Sequence, residues 1–124
     1  MTLILDAGAL IALERGDRRM AVLIAEATAQ GQRLVVPAGV VGQVWRGGAA
    51  QAVIARALRS PSLSVDVLSE PVARAAGTLC GVAGTNDVID ASVVVAARQH
   101  KAIVVSSDRG ALLQLDPALS INDC

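Results

Sequence analysis

Hydrophobic and polar positions change period repeatedly along the chain, short continuous apolar runs alternating with longer segments of helical spacing. "LILD" reads as a buried strand ending in an acid, and "AGALIALERG" turns at once into a short helix stopped near Gly16. Asp6 therefore sits at a strand-to-helix junction. "RRMAVLIAEATAQG" predicts a second helix closed by Gly31, and "RLVVP" a second strand. Pro37 permits a helical start for "PAGVVGQVWRGG", which Gly47 and Gly48 break. "QAVIARALRS" predicts a helix with Val53, Ala57 and Leu58 on one face and Arg56 and Arg59 on another; "LSVDVL" is the next strand.

Ser69 is placed to cap "EPVARAAGTLCGVAG", with Pro71 early enough to be tolerated and Gly81 or Gly84 as the stop. Another helix begins within "TNDVIDASVVVAA" and runs through "ASVVVAARQH". "AIVVSSD" is a strong strand, "RGALLQLD" a short helix ending near Pro117, and "ALSI" a final short strand. Continuous rather than alternating apolar strands point to a mainly parallel sheet covered by helices on both faces, hence an α/β fold built as a three-layer α/β/α sandwich. Neither an internal repeat nor a low-complexity linker interrupts the pattern, so residues 1–124 are expected to form a single domain.

Composition narrows what fills this frame. The chain is 53% hydrophobic but only 1% aromatic, so its core must be aliphatic, and it lacks the row of aromatic platforms that many single-strand binders use. Eleven basic residues balance eleven acidic ones, which leaves no global basic field; any RNA contact would be local, ionic and polar. Cys80 and Cys124 form no metal-spacing motif and no dense disulfide framework; counting leaves a single bridge open, and two reduced cysteines in the cytoplasm are the expectation. The start lacks a basic leader region, and Asp6 and Glu14 interrupt its apolar character, so neither secretion nor membrane spanning is favoured and the chain is expected to begin at Met1.

The chemistry worth weighing is acidic. Asp6 and Asp108 each follow a predicted strand, and Asp87 and Asp90 open the helix that leads into the "AIVVSSD" strand. In a right-handed parallel arrangement, strand C-termini and the following helix N-termini share one sheet edge, where these acids would converge. Each of Asp87, Asp90 and Asp108 has a local explanation as a helix cap, and Asp6 as the close of a strand. Capping does not remove mutual repulsion, and carboxylates meeting in a cleft need protons or a cation, for which oxygen ligands fit Mg²⁺ or Mn²⁺.

Ser106, Ser107, Thr85 and Asn86 could orient a ligand or merely shape turns. Arg15, Arg18, Arg19, Arg46 and Arg109 are candidate phosphate contacts that could equally be solvated charges. His100 fits a helix C-terminal cap better than a catalytic base, and Trp45 is expected to be partly buried against the aliphatic core.

The ordered set "LILDAGALIAL", "VVPAGVVGQVWRGG", "NDVIDASVVVAA" and "AIVVSSDRGAL" resembles the PIN domain family, and VapC toxins of bacterial VapBC toxin–antitoxin pairs in particular, over nearly the whole chain. The resemblance implies a metal-dependent endoribonuclease, commonly homodimeric and inhibited by a VapB antitoxin, cutting RNA to leave a 5′-phosphate and a 3′-hydroxyl. Transfer RNA and ribosomal RNA are the substrate classes it implies. The family's first acid falls on Asp6, and its later acids on Asp90 and Asp108; Asp87 is an additional acid placed to serve as metal or water ligand. Where the family usually carries a second acid, this chain carries Gln43, which supplies no charge. That departure keeps a second function class open: a catalytically weak PIN-like module whose task is protein binding.

Overall fold

The computed structural model describes residues 1–124. Its sheet has five parallel strands in the order β3-β2-β1-β4-β5, with β1 Thr2–Leu5, β2 Arg33–Pro37, β3 Leu63–Asp66, β4 Ile103–Ser106 and β5 Ile121–Asp123. β1 pairs in parallel with β2 (Leu3 opposite Leu34) and with β4 (Leu5 opposite Val105). Burial is continuous along β1, β2 and β4, as central strands covered on both faces require, whereas the edge strands β3 and β5 expose alternate or terminal positions.

Seven α-helices cover the sheet: α1 Ala7–Glu14, α2 Arg18–Ala29, α3 Ala38–Val44, α4 Ala52–Leu58, α5 Glu70–Ala83, α6 Val88–His100 and α7 Arg109–Leu115. Right-handed crossovers decide the faces. The β1-to-β2 and β2-to-β3 connections step one way along the sheet, and α1, α2 and α4 lie on one face, meeting β4, β2 and β3. The β3-to-β4 connection steps back past β2 and β1, so α5 and α6 occupy the opposite face, with α7 against both. α6 lies across β1, β2 and β4 beneath α5, and Ala91 through Ala97 are all buried, which is why this helix reads as apolar all round rather than amphipathic. No single helix is long and apolar enough to cross a membrane.

The core is aliphatic throughout, gathered in one cluster around Ile4, Leu5, Leu10, Val35, Val36, Val93, Val94, Val104 and Leu112. Ser69 caps α5 by accepting from the Val72 N–H, and Gly84 closes the same helix in the left-handed conformation.

Three expectations change. α4 buries Ile54, not a face led by Val53, which stays 37% exposed; the helix starts after a 3-10 turn, Ala49–Gln51, and that turn resets its rotation. The last strand begins at Ile121, where the "ALSI" reading ended, because the chain must first leave α7 and turn at Pro117 before meeting β4. Trp45 is 42% exposed and lies outside the core, at the C-cap of α3. That cap is instead completed by Gln51: its buried side chain donates to the Val44 carbonyl and accepts from the Arg46 and Gly47 N–H groups.

Candidate metal centre at the sheet's C-terminal edge

Strand order reverses between β1 and β4, and in open parallel sheets the crevice outside the strand C-termini at such a point is where ligands gather. Asp6 leaves β1 there. Its N–H continues the ladder to the Val105 carbonyl at 3.2 Å, while its carboxylate turns back to accept the Ala9 N–H at 3.0 Å and so caps α1. Only 6% of the residue is exposed. Burial raises its proton affinity above the ordinary carboxylate range; the Ser106 hydroxyl and the Ala9 and Gly8 N–H groups oppose that, and the Asp108 charge adds to it.

Asp108 lies across the switch point, beyond β4. Its N–H donates to the Ser106 hydroxyl at 2.9 Å, and its carboxylate accepts the Ala111 N–H at 3.2 Å, capping α7. Ser106, fully buried, thus ties the Asp6 and Asp108 segments together. Asp87 caps α6 by accepting the Asp90 N–H at 2.9 Å. Asp90, in the first turn of α6 and half-buried, is the acid that caps nothing. Its carboxyl is pushed up to about 6, first by burial and then by the charges of Asp87, Asp108 and Asp6. Four acids read from four positions in the sequence therefore share one electrostatic neighbourhood, at the N-termini of α1, α6 and α7.

The donor set is all carboxylate oxygen, the chemistry of a hard divalent cation rather than of zinc in a sulfur site. Asp6, Asp87 and Asp108 each accept a backbone N–H through Oδ1. No three of these side chains are drawn together as a ready-made cage, so the residues form an open acidic rim that fits a cation by charge and donor type. The cavity of about 290 Å³ lined by Pro37, Asp66, Val72, Ser92 and His100 lies apart from the rim and contains none of the four acids.

The remaining candidates separate. Gln43 is exposed on α3, one turn beyond Gly39, whose Cα faces Ile89 immediately before Asp90; it thus shares the helix face that looks toward the start of α6. It contributes no charge to the rim. Thr85 accepts the Asp87 N–H at 3.4 Å and Asn86 the Val88 N–H through its carbonyl, both shaping the turn into α6.

His100 is no C-cap: Lys101 takes that position, and the imidazole Nε2 lies 2.8 Å from Asp66 Oδ2 at the end of β3. Arg109 is held by both carboxylate oxygens of Asp123 at 3.0 and 3.1 Å, whereas Arg46 donates through Nη1 alone to the Gly42 and Trp45 carbonyls. Cys80 and Cys124 are both unbridged thiols.

Two residues that the sequence reading passed over matter to the site. A Cβ on Gly8 would drive into Ser107, coming within 2.8 Å of its Cβ and 3.1 Å of its backbone N, so glycine lets the start of α1 lie against the β4–α7 turn. Gly39 does the same for α3 against Ile89. Neither requirement leaves a local signal, since each arises from segments far apart in the chain.

Residues 3–116 match the PIN domain family model, and the chain belongs to that family. No significant match to a curated protein was found. Among solved structures, a chain of VapBC2 from Rickettsia felis bound to a promoter DNA fragment superposes with a TM-score of 0.74 at 14% identity, over 100% of this chain and 99% of that one. A chain of VapBC-1 from nontypeable Haemophilus influenzae gives 0.66 at 18% identity, covering 99% and 98%. A chain of FitAcB from Neisseria gonorrhoeae gives 0.64 at 18% identity, covering 96% and 95%. At such identities what is shared is the fold.

Proposed function

We propose that the protein is a divalent-metal-dependent endoribonuclease toxin of the VapC type, restrained by a VapB-type antitoxin and acting as a homodimer. The observation that carries the reading is the mutual charge of Asp6, Asp90 and Asp108, which three separate segments bring to the switch point of the sheet. Membership of the PIN family supports the nuclease part, and the toxin–antitoxin part draws support from the VapBC and FitAcB assemblies that share the fold.

Asp6, Asp90 and Asp108 would hold Mg²⁺ or Mn²⁺, with Asp87 contributing directly or through a water. A bound cation supplies Lewis-acid polarisation of the scissile phosphate and a lowered pKa for water. The chain's own residues do the rest. Ser106 and the α1 N–H groups fix the Asp6 carboxylate, and the half-buried Asp90 carboxylate gives up a proton near pH 6 to become a ligand. The exposed Ser107 hydroxyl, at the lip of the rim, is placed to donate to a phosphate oxygen. Transfer RNA or ribosomal RNA is the substrate class consistent with this reading.

The test is RNA cleavage by the chain freed of antitoxin, with Mg²⁺ or Mn²⁺, on structured cellular RNAs. Wild type should turn over, EDTA should stop it, and Asp6→Asn/Asp90→Asn should lower the rate at least about 100-fold, the scale of losing an electrostatic catalytic element. Equal cleavage by wild type and the double variant would sink the mechanism. A folded, partner-binding wild type with no turnover would favour the protein-binding module, which the uncharged Gln43 and the open rim make the second reading.

A further inference from the structure

Five arginines were equivalent in the sequence as phosphate contacts, and the structure separates them. Arg109 is paired with Asp123, and Arg46 turns Nη1 back to the Gly42 and Trp45 carbonyls of its own helix end. Arg18 and Arg19 open α2 and border a different hollow, lined by Met1, Leu3, Val22 and Ile103, and Arg19 also lines a smaller one with Asp17 and Cys124. Of the five, Arg15 shares a groove with Gly8 and Ser107. It is exposed, makes no ion pair or side-chain hydrogen bond, and lies in a groove of about 540 Å³ whose other walls include Gly8, Ser107 and Cys124.

Those walls are continuous with the acidic rim. Gly8 follows Asp6 by two residues and packs on Ser107, Ser107 precedes Asp108, and the Cys124 N–H is bonded to the Ser106 carbonyl at 3.0 Å. Asp17 also lines the groove, but its Oδ1 is turned to the Met20 N–H as the cap of α2. A strand of RNA leaving the rim along this groove would meet an unengaged guanidinium and an exposed hydroxyl on its walls. The nine residues from Asp6 to Arg15 run about 13 Å along α1, too far for the scissile phosphate and suited to one further along the strand.

We propose that this groove is the exit track for the RNA strand and that Arg15 anchors a flanking phosphate, with the Ser107 hydroxyl contacting the backbone between it and the rim. The inference rests on the nuclease reading and adds the direction in which substrate lies. Arg15 is a positioning residue: its guanidinium holds the strand and takes no part in bond cleavage.

The experiment separates binding from chemistry. Cleavage of a single-stranded RNA oligonucleotide is compared for wild type, Arg15→Ala, Arg15→Lys and Arg33→Ala, the last removing an equal charge from the opposite edge of the sheet, where Arg33 contacts Ser64. Binding of the same oligonucleotide is followed against salt in the Asp6→Asn/Asp90→Asn background, which blocks turnover.

Arg15→Ala should raise KM by up to about five-fold, as for an exposed ion pair, with kcat little changed. The slope of log affinity on log salt should fall by about 0.7, one phosphate's worth for a single strand, with Arg15→Lys retaining it and Arg33→Ala without effect. Active wild type with an unchanged KM and salt slope in Arg15→Ala, or an equal loss in Arg33→Ala, would overturn the assignment of Arg15. A wild type that neither binds nor cleaves the RNA would instead bring down the nuclease reading, and the track with it.

Discussion

Asp90 is set apart from its neighbours by having no helix end to cap, so its charge is compensated by nothing on the chain. Its folded pKa of about 6 stands above the ordinary value of 3.8, and the sign of its effect follows. Between these values the folded chain binds a proton that the unfolded chain has released, so stability falls as pH rises through the window and the loss is complete above it. Asp90→Asn should therefore be more stable than wild type at pH 8 by about 1 kcal/mol, after allowing for solvent screening of a half-buried group, and indistinguishable below pH 4. Urea unfolding in EDTA across that range checks it; a difference independent of pH would contradict it. At this scale the acids were legible because Asp6 and Asp108 sit where a strand pattern gives way to a helical one, and Asp87 and Asp90 where a new helix opens. The engagement of Arg109 was not, because Asp123 reaches it only once β5 has docked beside β4.

The elements that carry the acids are held together by absent side chains. Gly8→Ala would press a methyl group against the Ser107 backbone, which cannot yield without moving the β4–α7 turn, whereas Gly39→Ala meets chiefly the mobile end of Ile89. Gly8→Ala should cost about 1–3 kcal/mol in a denaturant titration and displace Asp6 from Asp108, with Gly39→Ala costing less. A reversed order would show that the α1 contact is looser than the geometry has it. Gln51→Ala should cost a similar amount, since it leaves the Val44 carbonyl and two N–H groups at the end of α3 without their buried partner. Helices and strands were legible wherever the apolar period was sustained, from β1 through α7. What escaped was rotation and register: the buried face of α4, turned by the 3-10 residues before it, and the start of β5, fixed by pairing with β4 rather than by its own residues.

For the molecule as a whole, the consequence of the strand order is that two crossovers in opposite directions open a crevice between β1 and β4, and every acid in question lies on its rim. The α/β/α architecture and the shared edge were legible from the alternation of patterns alone, because right-handed crossover leaves few topologies. The site's openness was not, since it depends on which carboxylate oxygens the helix N-termini claim. The same crevice frames the proposal that these acids would hold a divalent cation, with water as the nucleophile on an RNA phosphate. The most direct measurement is the chemistry of the cut ends produced with Mn²⁺ by wild type and by Asp108→Asn. Attack by water leaves a 5′-phosphate and a 3′-hydroxyl, and that is the expected product, dependent on Mn²⁺ and lost in the variant. Ends carrying a 2′,3′-cyclic phosphate, formed with EDTA present and unaffected by Asp108→Asn, would contradict it.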